Sequence, residues 1–191
     1  MAETEQFGDA EALAALTDEG LKSAWLRNPT GRDIITLPSG SHASLSQAAL
    51  DAHVNGFGGV ASRTPYISLS AGCVELDPGS ATTTVYHARE TALDFATQSG
   101  TCNGFVFRLW VLVSPKPGPE LPGFAEEVRE LNLFQQFAVF HWEGEVAAKL
   151  FVPARQIEWV EKYDSNLNLM SRRSNADFVA PERISNVLEV L

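Results

Sequence analysis

Three short stretches of this chain carry side chains that could act together on one bond: His53, the pair Ser68 and Ser70, and the pair Glu143 and Glu145. His53 lies in Leu50-Asp-Ala-His53-Val-Asn-Gly56, where a helix is expected to end. Fifteen residues later comes Tyr66-Ile-Ser68-Leu-Ser70. Strand alternation puts Tyr66, Ser68 and Ser70 on one face, with Ile67 and Leu69 on the other. Seventy-seven residues beyond Ser68 is Glu145, in Glu143-Gly-Glu145-Val-Ala-Ala148, an acidic pair among apolar strands. Carboxylates two residues apart in an extended segment share a face, and like charges so close raise one of the two pKa values. Taken alone, the pair reads first as a solvated hairpin turn with acidic edges. Only the three stretches together point to a site.

Familiar alternatives lack their motifs. The four histidines, His42, His53, His87 and His141, form no His-x-x-x-His or His-Glu-x-x-His pattern, so no metal site is expected. Gly56-Phe-Gly-Gly59 lacks the strand–helix context of a dinucleotide fingerprint. No Gly-x-Ser-x-Gly elbow exists, and Ser39-Gly40-Ser41 is a turn. Two cysteines, Cys73 and Cys102, are too few for a disulfide scaffold or a Cys-rich zinc site; one bridge between them stays open.

In order and spacing, the three stretches resemble the mono-ADP-ribosyltransferase toxins, the catalytic A subunits of cholera toxin, heat-labile enterotoxin and pertussis toxin. That family has an early Arg on a first strand, a helix ending Asp-His-x-x-Gly, a strand ending Ser-Thr-Ser, and a late Glu-x-Glu before a Val-rich strand. The matching stretches are Trp25-Leu-Arg27, Leu50–Gly56, Tyr66–Ser70 with Leu69 in place of Thr, and Glu143–Ala148. Val152-Pro153 to Ile157-Glu-Trp159 is similar to the family's Ile-Pro-x-x-x-Ile segment. The likeness spans residues 25–163.

The resemblance implies an α+β fold of the ADP-ribosyltransferase-like kind, a split, mostly antiparallel β-sandwich with flanking helices. It implies a glycosyltransferase that uses NAD as substrate, needs no metal, releases nicotinamide and passes ADP-ribose to a protein. Glu145 would stabilise the positive charge that grows on the ribose. Glu143 would orient or deprotonate the acceptor, and a Glu at that place is the family's mark of arginine as acceptor. Ser68 would fix Glu145 and touch the ribose, with Ser70 as support. Arg27, with Arg32 as rival, would grip an NAD phosphate. His53 would face the NAD cleft, and Tyr66 or Phe95 would wall the nicotinamide pocket. NAD hydrolysis on the same residues, an inactive binding module with this fold, and an accidental match all stay open. An activating or neutralising protein partner fits the toxin likeness.

Elements able to position these residues can be read along the chain. Residues 8–26 have helical spacing with Gly20 near the end, and Asp33–Leu37 reads as a strand. Ser44 with Gln47 predicts a capped helix running to Asn55. Thr64–Ser70 reads as a strand, 71–84 as a surface loop, and His87–Thr97 as a helix packing through Ala88, Ala92, Phe95 and Ala96. Phe105–Val113 is apolar enough for a central strand. Glu126–Leu133 reads as a helical turn, Phe137–Trp142 and Val146–Phe151 as strands, Ile157–Tyr163 as an edge strand, and Ile184–Leu191 as a last helix. This order suggests an N-terminal helical arm over 1–24, a catalytic domain over 25–163, and a polar extension over 164–191.

The 191 residues are 45% hydrophobic and 20% charged, an ordinary globular balance that excludes a disordered or collagen-like chain. The net charge of −10 opposes a grip on nucleic acid or an anionic membrane. No apolar run reaches the roughly 18 residues of a membrane span, and Arg108 interrupts the longest. The start Met-Ala-Glu-Thr-Glu lacks the basic region of a signal peptide. The expectation is a cytoplasmic protein, or an effector exported without such a signal.

Overall fold

Gly20 closes the first helix because the chain must turn there with φ at +69°, and a Cβ at that place would collide with the Val152 carbonyl. The helix, α1 (Asp9–Ala14), continues as a wider helical turn over Ala15–Glu19. A short strand β2 (Leu21–Lys22) and helix α2 (Ala24–Arg27) follow, so Trp25 lies on a separate helix from Leu16. The computed structural model describes residues 2–3, 8–27, 45–71, 74–76, 83–85, 88–114, 123–128 and 145–183. The expected strands at 33–37 and 137–142 and the helix at 184–191 lie outside these residues, as do Arg32, Cys73 and Glu143.

Helix α3 (Gln47–Asn55) is capped by Ser46, whose hydroxyl accepts from the Ala49 amide at 3.2 Å; the cap is two residues later than Ser44. A single turn, α4 (Phe57–Val60), leads into β3 (Tyr66–Ser70). The expected loop at 71–84 instead holds two strands, β4 (Val74–Leu76) and β5 (Thr83–Val85), paired antiparallel. Helix α5 (Ala88–Thr97) packs through Ala92, Leu93 and Ala96, while Phe95 faces solvent at 56% exposure rather than joining the packed face.

Among the described residues the remaining strands complete two four-stranded sheets. One runs β1 (Ala2–Glu3), β6 (Gly104–Leu109), β11 (Ile157–Tyr163), β12 (Leu169–Ser174). The other runs β3, β9 (Glu145–Lys149), β8 (Phe124–Glu127), β7 (Leu112–Ser114). A short strand β10 (Phe151–Val152) pairs with β2. Pairing is antiparallel except between β7 and β8. The class is α+β.

Three further expectations need correction. The apolar run 105–113 is not one strand: it breaks at Trp110 and crosses between sheets, a corner that Gln156 holds by accepting the Trp110 amide at 3.1 Å on its own carbonyl and donating from Nε2 to the Trp110 carbonyl at 2.9 Å. The helical turn expected to start at Glu126 does not: Glu126 and Glu127 end a strand, Phe124–Glu127, while residues 129–133 lie outside the described residues. The β11 strand lies inside its sheet, with β12 on its outer side.

The facing sides of the two sheets share one core. Ile67, Leu69, Val146 and Ala148 meet Phe105, Phe107, Ile157 and Val160, and Ala12, Ala15 and Leu16 of the first helix join them. A second cluster covers the other face of β3 and β9, where Leu50 and Val54 of α3 and Trp25 and Leu26 of α2 pack on Tyr66 and Ala147. That covered face is the one that bears Ser68. Among the described residues no helix is long and apolar enough to cross a membrane.

Candidate functional site

Antiparallel pairing of β3 with β9 closes the long sequence gap between the serines and the carboxylate. Ser70 lies opposite Glu145, Ser68 opposite Ala147, and Tyr66 opposite Lys149. Diagonal neighbours on one face are within reach of long side chains. Accordingly, the Ser68 hydroxyl donates to Glu145 Oε1 at 2.8 Å.

His53 enters from α3, above the same face. Its Nε2 lies 3.0 Å from Ser68 Oγ and its Nδ1 2.9 Å from Thr64 Oγ1. The Tyr66 ring sits against the imidazole, with centroids 5.7 Å apart at 42°. Burial is graded. His53 is 2% exposed, the Glu145 side chain 10%, and Ser68 is exposed. The site therefore opens to solvent at Ser68 and is sealed behind it by His53.

Burial lowers the His53 pKa to about 4, so the ring is neutral at pH 7. Its 3.7 Å approach to Glu145 Oε1 becomes an ion pair only on protonation. The folded protein takes up this proton less readily than the unfolded chain, whose histidine titrates near 6.5. Stability is therefore complete above pH 6.5 and is lost as pH falls from 6.5 towards 4, by up to about 3 kcal/mol. Thermal melts across this window are expected to show that loss in the wild type and a flatter profile in His53→Asn. Equal slopes in the two proteins would contradict a neutral buried ring.

The same face continues inward to a buried ion pair. Lys149 Nζ and Glu126 Oε1 are 2.5 Å apart, with side chains 1% and 0% exposed. Glu126 stands opposite Ala147 on β8, so Tyr66, Lys149 and Glu126 lie beside the row that bears Ser68. Burial pushes the Glu126 carboxyl up, and Lys149 opposes that rise. Burial and the nearby Glu126 carboxylate also push the Tyr66 hydroxyl up.

Of the residues selected from sequence, Ser68, Ser70, Glu145, His53 and Tyr66 come together. Tyr66 is almost wholly buried beneath the imidazole. Arg27 is exposed at the end of α2, a helix tied to the site by a 3.0 Å bond from the Trp25 amide to the Thr64 carbonyl. Phe95 is exposed on α5. Glu143 and Arg32 lie outside the described residues. Cys102 is a buried free thiol.

Sequence reading missed Thr64, Lys149 and Glu126. Thr64 has the same strand parity as Tyr66, Ser68 and Ser70, and that parity was the available signal. Lys149 is a lone charge inside the apolar run Val146–Val152, and that was its available signal. No group of three or more His, Cys, Asp or Glu is placed to hold a metal among the described residues. A groove of about 590 Å³ lined by residues such as Asp18, Phe151, Arg155 and Phe178 contains none of the site residues. No known family model matches the chain, and no curated protein matches it.

Proposed function

We propose that this protein is an NAD-dependent mono-ADP-ribosyltransferase, with the two-sheet arrangement forming the split sandwich of an ADP-ribosyltransferase-like fold. The observation that carries the reading is the 2.8 Å hydrogen bond from Ser68 to Glu145, made across paired strands at a site open to solvent. Breaking the bond between nicotinamide and ribose builds positive charge on the sugar, as in glycoside cleavage. An ionised carboxylate held in place by a hydroxyl donor is suited to stabilise that charge. Glu145 supplies the carboxylate, Ser68 orients it, and Ser70 supports it from the position opposite in register.

The remaining roles rest on the sequence resemblance. Arg27 offers a guanidinium for the pyrophosphate. Glu143 would prepare a protein acceptor, an arginine in this reading. In this reading the reaction calls for no metal.

The test is to incubate the protein with NAD and measure free nicotinamide, with and without arginine-bearing acceptors. Release accompanied by labelled acceptor supports transfer. Label that persists in Glu143→Gln overturns the arginine assignment. Release without label, at the same rate in both proteins, identifies hydrolysis. No release with any acceptor contradicts the enzyme reading and leaves a binding module.

A further inference from the structure

A neutral histidine carries one ring proton, and its neighbours decide which nitrogen holds it. Here the Ser68 hydroxyl proton is already directed to Glu145 Oε1 at 2.8 Å. The 3.0 Å contact between Ser68 Oγ and His53 Nε2 therefore needs its proton on Nε2, with the serine oxygen accepting. With the ring neutral, Nδ1 is then a bare acceptor. Thr64 Oγ1 lies 2.9 Å from it and accepts the Tyr66 amide at 3.3 Å, which leaves the threonine's own proton for the ring. Four hydrogen bonds thus run in one direction, from the Tyr66 amide through Thr64, His53 and Ser68 to the carboxylate.

Thr64 is well held for this task. Its side of the ring is buried, its amide donates to the Val60 carbonyl at 2.9 Å, and its carbonyl accepts the Trp25 amide at 3.0 Å. These bonds fix the Thr64 backbone, and the bond its hydroxyl accepts from the Tyr66 amide favours the side-chain rotamer that faces Nδ1.

We propose that Thr64 is a positioning residue that donates to Nδ1, fixes His53 as the Nε2–H tautomer, and so commits the Ser68 proton to Glu145. His53 then serves as a donor behind the serine and not as a general base. The effect on catalysis rests on the NAD-cleaving reading of Glu145; the tautomer does not.

The decisive experiment is a long-range ¹H–¹⁵N NMR correlation of the imidazole rings at neutral pH, with the His53 signals assigned through His53→Asn. Wild type and Thr64→Ser are expected to show Nε2 protonated and Nδ1 bare. Thr64→Val, similar in shape but without a donor, is expected to move the proton to Nδ1 or mix the tautomers. In parallel, Thr64→Val should lower kcat for nicotinamide release on the order of 10-fold, the worth of about one buried hydrogen bond, with Thr64→Ser restoring it. A proton on Nδ1 in the wild type, or an unchanged tautomer in Thr64→Val, overturns the proposal. Should Thr64→Val fail to fold, the wild-type and Thr64→Ser spectra still decide it. A tautomer shift in a protein that releases no nicotinamide would uphold Thr64's role and reject the NAD reading alone.

Discussion

Replacing Glu145 by Gln is expected to lower kcat for nicotinamide release by about 10²–10³-fold, the range seen when one stabilising group is removed from a transition state. The change keeps the shape and leaves an oxygen to accept from Ser68, so it removes the charge and little else. The Glu145 side chain is 10% exposed and its partner Ser68 is exposed, so the site does not depend on a deeply buried ion pair at this point. Because Gln keeps the volume and the acceptor that Ser68 uses, stability should fall by no more than about 1 kcal/mol, the worth of one hydrogen bond. A large fall in activity with an unchanged melting temperature separates lost chemistry from lost structure. Full activity in Glu145→Gln would remove the carboxylate from the mechanism.

The second large effect is on stability, at the ion pair beneath the site. Lys149→Met removes the cation and leaves Glu126 buried without its partner, which should cost about 3–5 kcal/mol of unfolding free energy. Unpaired, the carboxyl is pushed up by burial alone. The folded state then holds a proton that the unfolded chain has released, so stability falls as pH rises above the ordinary carboxyl range, and the loss is smaller in acid. The double variant Lys149→Met with Glu126→Leu should recover most of the loss, because an apolar pair of similar volume avoids two desolvated charges. Chemical denaturation of the three proteins at neutral pH and near pH 4.5 checks each arm. A Lys149→Met protein as stable as the wild type would mean that the pair makes no net contribution.

The face of β3 was legible because alternation needs only local sequence: Ser68 and Ser70 had to share a side, with Ile67 and Leu69 turned into the core. That Glu145 comes to the same side depends on the register between two strands 77 residues apart, and no local pattern encodes such a register. The resemblance supplied it instead. The ion pair stayed hidden because Phe-Ala-Glu-Glu is too short for any period to emerge, so Glu126 read as a helical turn. The β12 strand escaped for a different reason. All six of its side chains are exposed, and its two apolar residues, Leu169 and Met170, are adjacent and so fall on opposite faces, which leaves no alternation to read. The run 105–113 misled in the opposite sense. Continuous apolarity reports burial and cannot show where the chain turns from one sheet to the next. Thr64 was within reach of the same parity rule that selected Ser68, but its partner on α3 could be seen only in three dimensions.

The most direct test of the account is a double-mutant cycle on nicotinamide release from NAD, built from Ser68→Ala, Glu145→Gln and the two together. If the serine acts by holding the carboxylate, the double variant should be no slower than Glu145→Gln by more than a factor of about 2, since groups that act as a unit are strongly non-additive. Losses that multiply in full, or a wild-type protein that releases no nicotinamide with any acceptor, would contradict the claim that Ser68 and Glu145 form one NAD-cleaving site.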